Sequence, residues 1–475
     1  MRSSVGTRSG SATRPAAGSP SSGPATAAPT VALWLAGAGL GVVIGIELVT
    51  RTGLSGPGAL LTDLGRWAGL LGTYAALLSL LLVARVPVIE RSVGLDRLMG
   101  WHRKLGPVAL LLIAAHVVLI TSGYAAVDAV SYLSESWSLV ATYPWVLPAA
   151  VAFVLMVLGG VTSWRVARCR MRYETWWVTH LYFYLAIALA YAHQIGLGQQ
   201  FVTHPWARWI WIAFYVVTVG ALVAFRIGAP LARSLRHGLR VHSVVRESPD
   251  TISIWISGRH LDRLNVRGGQ FFGWRFLTRS GWWQSHPYSL SAGPDPRFLR
   301  ITVKDLGDHS RSLRQLRPGT RIVAEGPYGI FTADARHGDR VVLVAGGVGI
   351  TPIRAVLDDL PEHTSVDLLF RAPDPQALVL RGELEALAAR RRGLRLRYLV
   401  GNRRDYPVNA GSLQRLVPDV ASADLYVCGP TALVDAVIEA ARVLAIPTER
   451  VHHEAFSFHS PDTYRRLGRT KESSR

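Results

Sequence analysis

Cysteine is nearly absent. Cys169 and Cys428 are the two in 475 residues, so no disulfide framework can be built, and neither has the CxxC or Cys/His spacing of a zinc finger. Acid is scarce beside base, with 32 Asp and Glu against 52 Lys and Arg and a formal net charge of +20. That surplus is spread over tails and loops rather than gathered into one patch, which argues against a nucleic-acid-binding protein. No DxDxDG loop of the EF-hand kind occurs, so calcium control is not indicated. Residues 1–30 hold no acid at all and consist of Ser, Ala, Pro, Gly, Thr and a few Arg. They read as a disordered basic tail.

What the first half has instead is apolar length. Six runs, 31–50, 64–84, 104–124, 143–164, 176–197 and 206–226, each approach the ~20 residues needed to span a bilayer. Lys and Arg collect in the tail, after the second run (Arg85 to Lys104), after the fourth (Arg165 to Arg172) and after the sixth (Arg226 to Arg240). The positive-inside rule then places both termini in the cytoplasm of a multi-pass plasma-membrane protein. Arg66 lies at the outer end of the second run, either snorkelling to the interface or holding an anion. Glu47, near the outer end of the first, reads as interfacial.

The third and fifth runs each carry two histidines, His102 with His116 and His180 with His193. Fourteen residues on an ideal helix separate the first pair by roughly 21 Å and about 40° of rotation, so they share a face. Thirteen residues leave the second pair about 140° apart, which asks for a local adjustment. Ionisable groups at membrane depth are costly and mark function. Two facing imidazoles, one pair near each side, suit two six-coordinate haem irons.

From about residue 237 the pattern becomes that of soluble domains. VHSVVRE and TISIWISG alternate with period two, and short strands with Gly/Pro turns continue through RGGQFFGWRFL, HPYSLSAG and EGPYGIF, as in a small antiparallel barrel. After Asp339, strands alternate with helices, as in a parallel sheet with crossovers. In AGGVGITP, Gly346, Gly347 and Gly349 follow a strand and precede a helix that Thr351 can cap and Pro352 can open. A bare backbone at a helix start accepts a pyrophosphate. Cys428, Gly429 and Pro430 end a later strand at the edge where ligands bind in open α/β sheets.

HPYSLS at 286–291, GPYG at 326–329, GGVGITP and CGP stand in the order found in ferredoxin–NADP reductase-type modules. Joined to a membrane half with two histidine pairs, the chain resembles the NADPH oxidase / ferric reductase transmembrane superfamily in a bacterial form. The resemblance implies a six-helix transmembrane di-haem domain over 31–226, an FAD-binding β-barrel over 237–336 and an NAD(P)-binding α/β domain over 337–460, with a basic tail over 461–475. It implies that His286, Pro287, Tyr288 and Ser289 line the isoalloxazine, with the Ser289 hydroxyl near the flavin N5. Gly307 and Ser310 would serve the FAD phosphates, Gly346 to Pro352 the nicotinamide cofactor's pyrophosphate, Cys428 the nicotinamide, and Phe456 would stack on the flavin. Arg371, Arg403 and Arg404 are candidates for the 2′-phosphate of NADPH, with NADH the other possibility. The expected cofactors are FAD, two b-type haems and NADPH. The expected partners are the lipid bilayer and a small electron acceptor outside, oxygen or a ferric chelate. Alternatives are reduction of a quinone or periplasmic protein, a flavin-only reductase, and a membrane transporter or scaffold. Oligomeric state is not legible.

Overall fold

The computed structural model describes residues 27–51, 55–164, 167, 171, 173–279, 281–402 and 404–456. Of the tail expected over 1–30, residues 27–30 are not tail but the first turn of a helix, and residues 1–26 lie outside the described residues, as do the tail over 461–475, the side chain of Phe456 and all of Arg403.

The first half is helical: α1 (Ala27–Thr50), α2 (Ala59–Val83), α3 (Pro87–Val93), α4 (Leu95–Asp128), α5 (Tyr132–Thr142), α6 (Val146–Ser163), α7 (Tyr173–Leu197), α8 (Gln199–Thr203) and α9 (Pro205–Leu222). Helix α9 continues through a π turn (Val223–Gly228) into α10 (Ala229–His237). Among the described residues, five helical stretches are long and apolar enough to cross a membrane: Thr30–Thr50, Ala59–Val83, Arg97–Asp128, Val146–Ser163 and Pro205–His237. The expected run at 176–197 is one helix of 25 residues, α7. It is not among the five because Glu174, His180, Tyr182, Tyr184, Tyr191, His193 and Gln194 dilute its apolar content. The connection between the third and fourth apolar runs is partly the helix α5, capped where the Ser131 hydroxyl accepts the Ser134 N–H at 3.2 Å.

Two antiparallel helix pairs make up most of the bundle, α2 with α4 and α6 with α7. Small residues let the first pair close. A Cβ on Gly65 would meet Ile120 at 2.8 Å, one on Gly72 would meet Ile113 at 3.0 Å, and one on Gly69 would fall 2.6 Å from His116 Nδ1. Backbones that approach this closely gain van der Waals contact where lipid supplies no hydrophobic drive. The α6–α7 pair uses Gly159 in the same way, under Phe183.

Among the described residues, the second half holds eleven strands in three sheets. β1 (Arg240–Ser248), β2 (Thr251–Ser257) and β5 (Phe298–Lys304) form one antiparallel sheet; β4 (His286–Ser289), β3 (Phe271–Phe276) and β6 (Ile322–Tyr328) form another. Single bridges, Arg240 with Arg321 and Leu290 with Ile301, connect the two sheets. Their inward faces share one core around Ile254, Phe272, Trp274 and Ile301, all fully buried. The third sheet is parallel, in the order β11 (Val451–Phe456), β10 (Asp424–Pro430), β7 (Arg340–Gly346), β8 (Ser365–Ala372), β9 (Leu394–Val400). The order reverses direction beside β7, so the carboxyl ends of β7 and β10 flank the crevice where such sheets bind ligands.

Candidate functional site

The four membrane histidines face one another in pairs. The ring centres of His102 and His180 lie 6.1 Å apart, and those of His116 and His193 lie 6.4 Å apart. Helices α4 and α7 do not pack on each other as the two helix pairs do, so the imidazoles meet across a gap between pairs. A metal–imidazole bond of about 2.0 Å on each side of one shared ion puts two ring centres on the order of 6 Å apart. Both separations fit that requirement.

Three of the rings are held from behind. His116 Nδ1 lies 2.8 Å from the Gly65 carbonyl, and His102 Nδ1 lies 2.7 Å from Ser79 Oγ and 3.2 Å from the Ser79 carbonyl. A carbonyl only accepts, so Nδ1 carries the proton and the Nε2 lone pair is left for a metal. Gly65 and Ser79 are separated by the same fourteen residues as His116 and His102, so one antiparallel register serves both. On the other pair of helices, Ser163 Oγ lies 3.2 Å from His180 Nδ1. Continuing that register brings Ala150 to the level of His193, and alanine offers no side-chain acceptor. His193 Nδ1 is buried and, although the Ala190 backbone is near, it makes no hydrogen bond of ordinary geometry. The orientation of this helix is fixed one residue on: Gln194 Oε1 accepts from Trp211 Nε1 at 2.8 Å and from the Tyr215 hydroxyl at 3.1 Å. The helix α7 runs unbroken over Tyr173–Leu197, so both histidines meet their partners without a break in it.

Arg66 lies within electrostatic reach of Glu47. Glu47 is 2% exposed and therefore buried, not interfacial as its sequence position suggests. Beside them Arg51 grips Asp63 with two bonds of 3.0 and 2.8 Å. Arg66 thus belongs to a charge cluster at the ends of α1 and α2.

The soluble sheets dock beneath the first histidine pair. Trp176 stacks on His180 with ring centres 5.2 Å apart, and its neighbour Trp177 faces Trp283 of the loop before β4 at 6.2 Å. Glu325 of β6, 8% exposed, gathers three arginines: Arg275 of β3 at 3.4 Å, Arg226 of the π turn at 3.5 Å and Arg85 after α2 at 3.9 Å. Arg85 also lies over the Tyr328 ring at 4.3 Å. Sequence reading did not single out Glu325 or Arg85; their meeting depends on how two halves pack.

Of the flavin-segment residues, Ser289 is buried, His286 and Tyr288 are half-buried and Pro287 is exposed. Burial raises the Tyr288 hydroxyl pKa. The His286 ring stacks on His309, ring centres 3.4 Å apart. Burial first, and the neighbouring His286 second, lower His309 to about 4, so the His309 ring is uncharged at neutral pH. Gly307 is exposed at the start of a short helix, α11 (Asp308–Ser312). The Ser310 hydroxyl is engaged within that turn, accepting from Leu306 N–H at 2.8 Å and donating to the Gly307 carbonyl at 2.9 Å.

At the parallel sheet the glycines divide by role. A Cβ on Gly349 would fall 2.2 Å from the Cys428 carbonyl, and one on Gly346 would fall 2.4 Å from Leu433, so these two let the turns after β7 and β10 touch. Gly347, at φ +56° and with nothing within 4 Å of a Cβ, faces open space. The helix α12 (Ile350–Asp359) begins at Gly349 rather than at Thr351. Thr351 is not the cap: it is the second residue of the helix, buried, and its hydroxyl donates to the Val348 carbonyl at 3.0 Å. Pro352 sits in the first turn as expected. Cys428 and Gly429 are at the carboxyl end of β10 and buried, with Pro430 half-buried beside them. The Cys428 thiol packs in the core with Phe331 and Ala345. Burial, then the charge of Glu454 on the adjacent strand, pushes its pKa well up. It is a neutral thiol, not a nucleophile.

Arg371, at the end of β8, lines a cavity of about 290 Å³ with Leu369, Asp405, Tyr406, Ser412 and Arg415. Arg415 was not a sequence candidate; a lone arginine in a short helix carries no signal. Arg404 is exposed on the neighbouring turn.

Helices of membrane-spanning character carrying facing histidines, joined to two antiparallel sheets and a parallel sheet with a glycine-lined crevice, define a membrane-bound dinucleotide oxidoreductase. The family model for a ferric reductase-like transmembrane component matches residues 68–191, that for an FAD-binding domain 238–332 and that for an oxidoreductase NAD-binding domain 343–439. The chain belongs to the NADPH oxidase / ferric reductase superfamily, with a ferredoxin–NADP reductase-type module. It is 35% identical to ferredoxin–NADP reductase B of Sorangium cellulosum over 36% of this chain and 77% of that one. It is 28% identical to the glycine betaine monooxygenase reductase subunit of Chromohalobacter salexigens over 46% of this chain, spanning 64% of that protein. A solved FAD/NAD-binding domain of the nitric oxide dioxygenase of Vibrio cholerae aligns with 46% of this chain and 98% of that one, at 23% identity and a TM-score of 0.39.

Proposed function

We propose that the chain passes electrons across the membrane, from NADPH to FAD, then to two b-type haems, and on to an acceptor outside, molecular oxygen or a ferric chelate. The observation that carries this reading is the pairing of His102 with His180 and His116 with His193 at the separations of a shared iron. Haem held by the two histidine pairs would supply one-electron chemistry, and flavin would couple it to a two-electron hydride donor.

The protein's own part is positioning. Ser79 and the Gly65 carbonyl fix two rings with Nε2 toward the gap. The His102/His180 pair lies on the side of the flavin sheets, which supports its being the inner pair, with both termini and residues 237–460 in the cytoplasm. Residues 31–226 form the six-span bundle, α7 included, because His180 and Gln194 are satisfied by neighbouring helices and His193 faces His116. The six antiparallel strands close as a barrel over 237–336, and 337–460 form the NAD(P) domain. His102 with His180 and His116 with His193 would hold the two haems, which would supply one-electron transfer to the acceptor. Arg66 holds an anionic group at the outer side.

The test is anaerobic reduction of the purified protein by NADPH, followed by oxygen or ferric citrate in turn. Haem bands reduce before either is added, and the physiological class of acceptor reoxidises them fastest. A protein without haem bands refutes the reading. Arg371 sets the choice of NADPH over NADH: Arg371→Ala lowers the ratio of the two turnover rates roughly tenfold, the worth of one charge-assisted contact. An unchanged ratio removes Arg371 from the cofactor site.

A further inference from the structure

The amino-terminal edge of the parallel sheet lies away from the cofactor crevice, and three chemistry-bearing side chains meet there. His337 comes from the segment between β6 and β7, Asp424 opens β10, and His452 is the second residue of β11. Asp424 is 1% exposed. Its carboxylate is aimed by backbone donors, the His337 N–H at 3.0 and 3.1 Å and the Gly338 N–H at 2.8 Å. Oδ1 then lies 3.4 Å from His337 Nδ1 and 3.5 Å from His452 Nε2. One ligand atom from each of the three residues falls within 4.8 Å of the others.

Those separations decide between two readings. A charge-assisted N–H···O bond closes to about 2.7–2.9 Å, and neither histidine comes that near. Ligands at about 2.0–2.1 Å from one tetrahedral ion sit roughly 3.4 Å from each other. The rings are also preset: the imidazole planes differ by 12°, and Tyr426 backs His452 with ring centres 4.3 Å apart. Tyr426 is itself fixed by its hydroxyl, which donates to the Thr332 carbonyl at 2.9 Å.

We propose that His337, Asp424 and His452 bind one divalent cation of the zinc class, with water in the fourth position on the exposed side of His337. Two imidazoles and a carboxylate suit such an ion. None of the three belongs to the haem, flavin or dinucleotide sites. The ion ties the segment leading out of the flavin sheets to β10 and to β11, so its effect is on the stability of the dinucleotide half.

The experiment uses the full chain with its cofactors bound, stripped of adventitious metal by chelator and dialysed against zinc chloride. Wild type retains one more zinc per chain than His337→Ala or His452→Gln, and its zinc affinity exceeds theirs at least tenfold. Zinc raises the unfolding temperature of wild type and leaves that of His337→Ala unchanged. The His337 side chain is about half exposed, so its loss does not prevent folding even where His452→Gln does. Equal zinc content in wild type and His337→Ala, or no zinc-dependent shift in wild type, overturns the proposal.

Discussion

His116→Leu removes one haem per chain and cuts electron delivery to the outer acceptor roughly a hundredfold or more, while NADPH still reduces the flavin. Loss of a residue that merely orients a metal ligand costs about 10–100-fold, so loss of the ligand itself costs at least as much. Leucine fills a similar volume, and the Gly65 carbonyl it abandons is already bonded within its helix. The bundle therefore folds, and the defect stays local. His102 and His180 keep their ring separation and their own hydrogen bonds to Ser79 and Ser163, so the inner haem remains and reduces normally. Haem content and flavin reduction are read from one visible spectrum. Unchanged haem content in the variant would falsify the ligand assignment. Loss of both haems together would show instead that the two sites do not form independently.

How far this site was readable from the chain depends on the range of each contact. The histidines announced themselves by spacing along single helices, and the flavin and dinucleotide segments by local motifs in a fixed order. Periodicity also located the parallel sheet, because each strand–helix unit is built from neighbours in sequence. The supports were silent. Ser79 behind His102 and Gly65 behind His116 become visible only when the register of α2 on α4 is known. Gln194 is an ordinary polar residue until Trp211 and Tyr215 meet it. Glu47 looked interfacial because a run of apolar residues does not say which of its faces is covered. Thr351 looked like a cap because Ser and Thr commonly are, yet the 3₁₀ turn Gly347–Gly349 carries the chain into the helix first. Glycine identity was legible at 346, 347 and 349; that two of them serve contact between turns and one faces open space was not.

Glu325→Gln slows electron transfer from flavin to the inner haem by roughly tenfold and leaves flavin reduction by NADPH unchanged. The carboxylate is nearly buried and opposes three guanidinium groups drawn from the end of α2, the π turn and β3. Removing one partner of a fully buried ion pair costs about 3–5 kcal/mol, since a charge is left uncompensated. Here the arginine side chains are 23–37% exposed, so water takes up part of the loss and about 1–2 kcal/mol is expected. Two of the three arginines belong to the membrane half and one to the flavin sheets, so repulsion among them acts across the junction. It also loosens Arg85 over Tyr328, in the GPYG turn that follows Glu325. A loss of about 1.4 kcal/mol lowers the docking equilibrium constant tenfold, and only the step that crosses the junction is slowed. Stopped-flow absorbance resolves the flavin from the haem bands. Equal slowing of both phases would place the damage in the flavin site, and no slowing would mean that Trp177 against Trp283 and the chain connection through α10 hold the halves together without this cluster. Glu325→Asp, which keeps the charge and shortens the reach, recovers most of the rate if charge rather than shape is what holds the junction.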